Sequence, residues 1–118
     1  MSITFESLGL GEAMVSSLKK RGYETPTDIQ GLLIPEFLNE SMDIMAQAAT
    51  GTGKTGAFGI PLIDQMDVNI KGVHALVLAP TRELASQVAK ELVKFAVKRQ
   101  INVIELCGGQ GMREQIQQ

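Results

Sequence analysis

The segment Ala48-Ala49-Thr50-Gly51-Thr52-Gly53-Lys54-Thr55 constrains this chain more than any other. It lies between a short, mostly apolar run, Met42 to Gln47, and a helical pattern from about Lys54 to Met66. Gly51 and Gly53 permit a tight backbone turn in which several N–H groups converge on one point. The N-terminus of the following helix adds more N–H groups and a positive dipole end. Lys54 supplies a mobile cation, and the Thr55 hydroxyl is a hard oxygen of the kind Mg²⁺ prefers. Together these residues read as a phosphate-binding turn, G-x-x-x-x-G-K-[ST], with Ala48 where the first glycine would stand. The turn implies a nucleoside phosphate, with Lys54 and Thr55 nearest the chemistry and Thr55 as metal ligand. It names neither the base nor the reaction.

The surroundings of the turn alternate in type. Glu12 to Arg21 and Thr27 to about Asn39 have helical spacing, with Pro35 expected to kink or interrupt the second. Met42 to Gln47, His74 to Ala79 and Asn102 to Leu106 read as strands, and Thr81 caps a helix running to about Arg99. Helix, helix, then β-α-β-α-β predicts an α/β protein with a parallel sheet and flanking helices. At 118 residues, 44% apolar and 20% charged, the chain suits one small soluble domain. A net charge of -2 gives no general attraction for nucleic acid. Lys90, Lys94 and Lys98, with Arg99 adjacent, fit a solvated helix face. The apolar runs are too short to cross a bilayer, and Met1 to Glu6 has no signal-peptide pattern. The single cysteine, Cys107, fits a buried thiol in a reducing compartment, taken as the cytoplasm.

A second constellation precedes the turn: Gly22-Tyr23-Glu24-Thr25-Pro26-Thr27-Asp28-Ile29-Gln30. The Gln30 amide can bond the N6 and N7 edge of adenine in two places. Thr27 and Gln30 also have the spacing of a helix capping box, so both readings stand. Phe5 is an aromatic in a polar stretch, either a core anchor or a base platform.

With the turn, this segment resembles the Q motif of the DEAD-box RNA helicases, and residues 48–55 resemble that family's motif I. Phe5 stands seventeen positions before Gly22, where the family carries an aromatic. Pro80-Thr81-Arg82-Glu83-Leu84-Ala85 resembles motif Ia, and Gly108-Gly109 the family's GG element. Asp28 departs from the proline common at its position. The resemblance implies a RecA-like P-loop fold. It also implies an ATP site with Mg²⁺ formed by Phe5, Tyr23, Thr25, Gln30, Thr50, Gly51, Thr52, Gly53, Lys54 and Thr55. Pro80, Thr81, Arg82, Gly108 and Gly109 would then meet the backbone of single-stranded RNA.

The sequence holds no Asp-Glu-Ala-Asp, no Ser-Ala-Thr motif and no second RecA-like domain. The expectation is the N-terminal part of the first helicase domain, with residues 1–40 a helical Q-motif region and 41–118 the phosphate-binding segment. The parent would be an ATP-dependent RNA helicase that hydrolyses ATP, while these residues alone bind nucleotide without turnover. The alternatives are a P-loop NTPase acting on DNA and a non-catalytic nucleotide-binding module. A parallel sheet left uncovered on one face invites association, unless Met112–Gln118 folds back as a covering helix. Sedimentation equilibrium with thermal melting across a concentration series is expected to reveal self-association or a low melting temperature. A monomer with a high, concentration-independent melting temperature would contradict this.

Overall fold

A computed structural model of the chain describes residues 3–39, 43–49, 53–96 and 100–108. Each helix in it begins and ends where local chemistry dictates. Thr4 and Ser7 bond each other reciprocally, each backbone N–H donating to the other's hydroxyl at 3.2 Å, and start a short 3₁₀ turn, Glu6–Leu8. Gly9 closes the turn with φ of +97°, a conformation that costs a glycine little.

Helix α1, Glu12–Lys20, carries an acid in its first turn and Lys19 and Lys20 in its last, as the helix dipole favours. It ends in a Schellman motif. Tyr23 N–H donates to the Leu18 carbonyl at 3.0 Å, Gly22 N–H donates to the Lys19 carbonyl at 3.1 Å, and Gly22 has φ of +84°. Lys19 pairs with Glu6, and that bond holds the Glu6 carboxyl below its ordinary value. A depressed carboxyl stabilises the fold above its unfolded pKa, and the effect is lost as pH falls through the folded pKa. Both groups are exposed, so the contribution is small and screened by salt.

Helix α2, Asp28–Asn39, runs unbroken through Pro35. The expected interruption is absent, and Asn39 Nδ2 donates to the Pro35 carbonyl at 2.8 Å in the last turn. Helix α3, Lys54–Gln65, likewise contains Pro61. Helix α4, Arg82–Phe95, is capped by Thr81, whose Oγ1 accepts from Leu84 N–H at 3.1 Å. Its inner face is Val88, Leu92 and Phe95, while Leu84 in the first turn is exposed. Residues 97–99, expected to continue this helix, lie outside the described residues.

The chain divides into two compact units, Met1–Asp67 and Val68–Gln118. Helix α3 packs against α2 in the first unit. Leu18, Ile34, Ile60 and Ile63 are fully buried there, each side chain contributing about 1.5–3 kcal/mol by leaving water. The far end of α3 ties two neighbours. Asp64 carboxylate oxygens accept from Gly11 N–H at 3.3 Å, at the start of α1. Gln65 Nε2 donates to the Leu38 carbonyl near the end of α2, also at 3.3 Å.

Among the described residues 43–49, 73–79 and 101–107 no strand is described, and the expected parallel sheet is not seen. Their apolar side chains stay open to solvent, with Leu76 80% and Leu78 86% exposed. A helix closes its hydrogen bonds within itself, whereas a parallel strand obtains every bond from a neighbour remote in sequence. The segment Met112–Gln118 lies outside the described residues. No helix among the described residues is long and apolar enough to cross a membrane.

Asp64 satisfies the N–H of Gly11, the N-cap residue of α1, and so ties the end of α3 to the start of α1. Asp64→Ala is therefore expected to lower stability by about 1 kcal/mol, the usual net worth of a hydrogen bond. Chemical denaturation of Asp64→Ala beside Asp43→Ala, an exposed acid, checks this. Equal midpoints would show that the contact contributes nothing.

Candidate functional site

The N-termini of α2 and α3 meet through one side chain. Gln30, in the first turn of α2, is 4% exposed. Its Oε1 accepts from Thr27 N–H at 3.0 Å, and its own N–H faces Thr27 Oγ1 at 3.4 Å, which completes a capping box. Its Nε2 donates to the Gly53 carbonyl at 3.2 Å, across to the N-cap of α3. A glutamine amide has two N–H donors and two acceptor lone pairs. Among the described residues these contacts use one of each.

Two glycines make the approach possible. Gly53 has φ of +84°, and a Cβ there would lie 2.7 Å from Gln30 Nε2 and 2.8 Å from Thr27 Oγ1. A Cβ on Gly56 would lie 2.6 Å from Gln30 Nε2. Any other residue at either position must push the amide or the threonine away. Gly56 is buried inside a helix, where glycine costs about 1 kcal/mol relative to alanine. Close approach is what that cost obtains. Sequence reasoning missed Gly56 and the packing role of Thr27. The available signal was the three-residue spacing of Gly53 and Gly56, which puts both on one helix face.

Lys54 and Thr55 are the first two residues of α3, Lys54 exposed and Thr55 half-buried. The helix has no side-chain cap, so its first-turn N–H groups have no acceptor within the helix. An anion with oxygen acceptors fits that end. Thr50, Gly51 and Thr52 lie outside the described residues. Of the other expected nucleotide contacts, Tyr23 is half-buried and Thr25 exposed. Phe5 is 2% exposed, so its ring sits in the core of the first unit and is not presented to solvent.

In the second unit, Pro80, Thr81 and Arg82 are exposed except for a partly covered Ala79 beside them. The Thr81 hydroxyl serves as the helix cap, which occupies an acceptor and leaves its own proton to donate. Arg82 Nη2 donates to the Gly108 carbonyl at 2.6 Å. Arg82 and Gly108 are thus brought together, while Gly109 lies outside the described residues. Lys90 and Lys94 are exposed, Lys98 and Arg99 are outside the described residues, and Cys107 is half-buried.

Residues 27–118 match the family model of the DEAD/DEAH box helicase. The chain is 44% identical over 113 residues to the DEAD-box ATP-dependent RNA helicase CshA of Bacillus cereus, covering 96% of itself and 21% of that protein. It therefore spans about a fifth of the length of such curated relatives. Its structure resembles a DEAD box protein from the hyperthermophile Methanococcus jannaschii, with a TM-score of 0.90 and 41% identity, over 97% of this chain and 31% of that one. It also resembles the RNA helicase Prp28 from Chaetomium thermophilum bound to ADP, with a TM-score of 0.83 and 38% identity, over 96% of this chain and 28% of that one.

The glycine packing can be tested apart from any ligand. Gly53→Ala is expected to cost about 1–3 kcal/mol, through its positive φ and the overlap with Gln30. In a Gln30→Ala background that cost falls, because one of the overlapping groups is gone. Denaturant unfolding of both single variants and the double variant checks this. Strict additivity would mean that the two side chains do not meet.

Proposed function

The chain belongs to the DEAD/DEAH box helicase family, and on that premise we propose that it carries the nucleotide site and part of the RNA surface of an ATP-dependent RNA helicase. The observation that carries the reading is the Gln30 amide, buried against the N-cap of α3, which among the described residues uses one of its two N–H donors and one of its two lone pairs. The other donor and lone pair match the N7 acceptor and N6 donor of adenine. The uncapped start of α3 takes the phosphates, Lys54 follows the outer ones, and Thr55 offers its hydroxyl to Mg²⁺. Thr50, Gly51, Thr52, Tyr23 and Thr25 are the other nucleotide contacts of this reading. Phe5 supports the site from the core, since it is covered by protein.

On the same reading, 42–47, 74–79 and 102–106 are the strands of a RecA-like parallel sheet. Their exposed apolar residues are those a completed sheet and its flanking helices would bury. Pro80, Thr81, Arg82, Gly108 and Gly109 form the surface that meets the backbone of single-stranded RNA, and backbone contacts position a strand without reading its sequence. Hydrolysis needs acids that hold Mg²⁺ and water, and no Asp-Glu-Ala-Asp lies within these residues. The 118 residues alone therefore bind nucleotide without turning it over.

Calorimetric titration with ADP, ATP, GDP and GTP tests the reading. Adenine nucleotides are expected to bind more tightly than guanine nucleotides. Gln30→Ala should weaken ATP binding on the order of 5–100-fold, the equivalent of about 1–3 kcal/mol. Lys54→Ala should remove most of the advantage of ATP over adenosine without changing the melting temperature. Equal affinity for adenine and guanine nucleotides would overturn the base assignment. Lys54→Ala with unchanged ATP affinity would overturn the phosphate assignment.

A further inference from the structure

The second unit contains a contact whose role differs from the one the motif alone implies. Arg82 is the first residue of α4, a 14-residue helix whose N-terminus is locked by the Thr81 cap. Its guanidinium therefore extends from a fixed base. Gly108, 26 residues further on, accepts from Arg82 Nη2 at 2.6 Å through its backbone carbonyl. Gly108 has no side chain to pack, and a Cβ built there would meet nothing within 4 Å. A bond to its main chain thus joins Gly108 to the start of α4, from a donor that is permanently charged and rigidly planar.

We propose that Arg82 is a positioning residue: it clasps the Gly108 carbonyl and holds the end of the 101–108 segment at the start of α4, so that this backbone is in place before RNA arrives. The inference rests on the RNA-binding reading above for its functional consequence, but the clasp exists without RNA. A residue that only paired with phosphate would act through charge, and its removal would reduce the number of counterions released. A residue that holds another backbone acts through order. The two roles leave different signatures in salt dependence.

The test uses the full 118-residue chain with Arg82→Ala and Arg82→Lys. Amide hydrogen exchange is measured first without RNA. Arg82→Ala is expected to speed exchange across residues 105–108 on the order of tenfold, the loss of about one hydrogen bond. The peptides of 84–95 should stay unchanged, which separates loss of the clasp from unfolding of α4. Arg82→Lys, which keeps a donor of similar reach, should restore part of the protection.

Fluorescence anisotropy with a labelled short oligouridylate is then read over a salt series. Arg82→Ala should weaken RNA binding several-fold, leave the slope of log affinity against log salt unchanged, and leave ADP affinity unchanged. Exchange at 105–108 that does not respond to Arg82→Ala overturns the clasp. A salt slope reduced by about 0.7, the value for one single-strand phosphate contact, overturns the positioning role and assigns Arg82 directly to RNA. If the wild-type chain binds no RNA while exchange still rises in Arg82→Ala, the clasp stands and the RNA-binding reading falls.

Discussion

One buried amide sets the geometry on which the first unit depends. Gln30 is removed from water, and a buried amide left unpaired would cost about 1–3 kcal/mol. Its partners therefore dictate what surrounds it. The acceptor side is satisfied by Thr27, which fixes the first turn of α2. The donor side is satisfied by the Gly53 carbonyl, which fixes the N-cap of α3. Because the two turns approach so closely, a side chain at position 53 or 56 would displace the Gln30 amide, or at 53 Thr27, from its place. At its other end, α3 is held by Asp64 on α1 and Gln65 on α2. Helix α3 is thus fixed at both ends against the N-terminal helices.

What was legible in the sequence was whatever is decided within a few residues. The Thr81 cap, the Lys19-Lys20 ending with Gly22, and the acids in first turns are local devices, and the helices begin and end at them. Pro35 misleads because proline removes one hydrogen bond, while the neighbouring turns of a packed helix retain theirs. Phe5 was open to two readings, and burial decides between core and surface in a way that residue type cannot. Gly56, Asp64 and Gln65 were not legible. Their partners, Gln30, Gly11 and Leu38, lie 26, 53 and 27 residues away, and nothing in the local pattern marks the pairing.

The strands mark the same boundary from the other side. Leu76 and Leu78 belong to the apolar run His74 to Ala79 that predicts a buried strand, yet they stand exposed. Apolar content measures how much a segment gains from burial; it does not provide the neighbour that buries it. The helical units satisfy their backbone internally and form regardless. The first unit accordingly has a core of Leu18, Ile34, Ile60 and Ile63, while residues 73–79 retain a pattern whose partners are remote.

The two sequence readings of Gln30, helix cap and adenine contact, need not compete. A cap requires one acceptor, and the bond to Gly53 requires one donor, so among the described residues the amide keeps a second lone pair and a second N–H. A base that engages the remaining pair does so without breaking the first, and it meets an amide whose orientation is already fixed by two main-chain partners. Fixing the amide beforehand reduces the rotamer entropy lost on binding, which improves affinity without an added contact. On the proposed function it also ties recognition of the base to the backbone of Gly53, the residue from which α3 starts. A substitution that frees the amide from Gly53 would therefore be felt at the base and at the phosphates together, because one side chain stands between them.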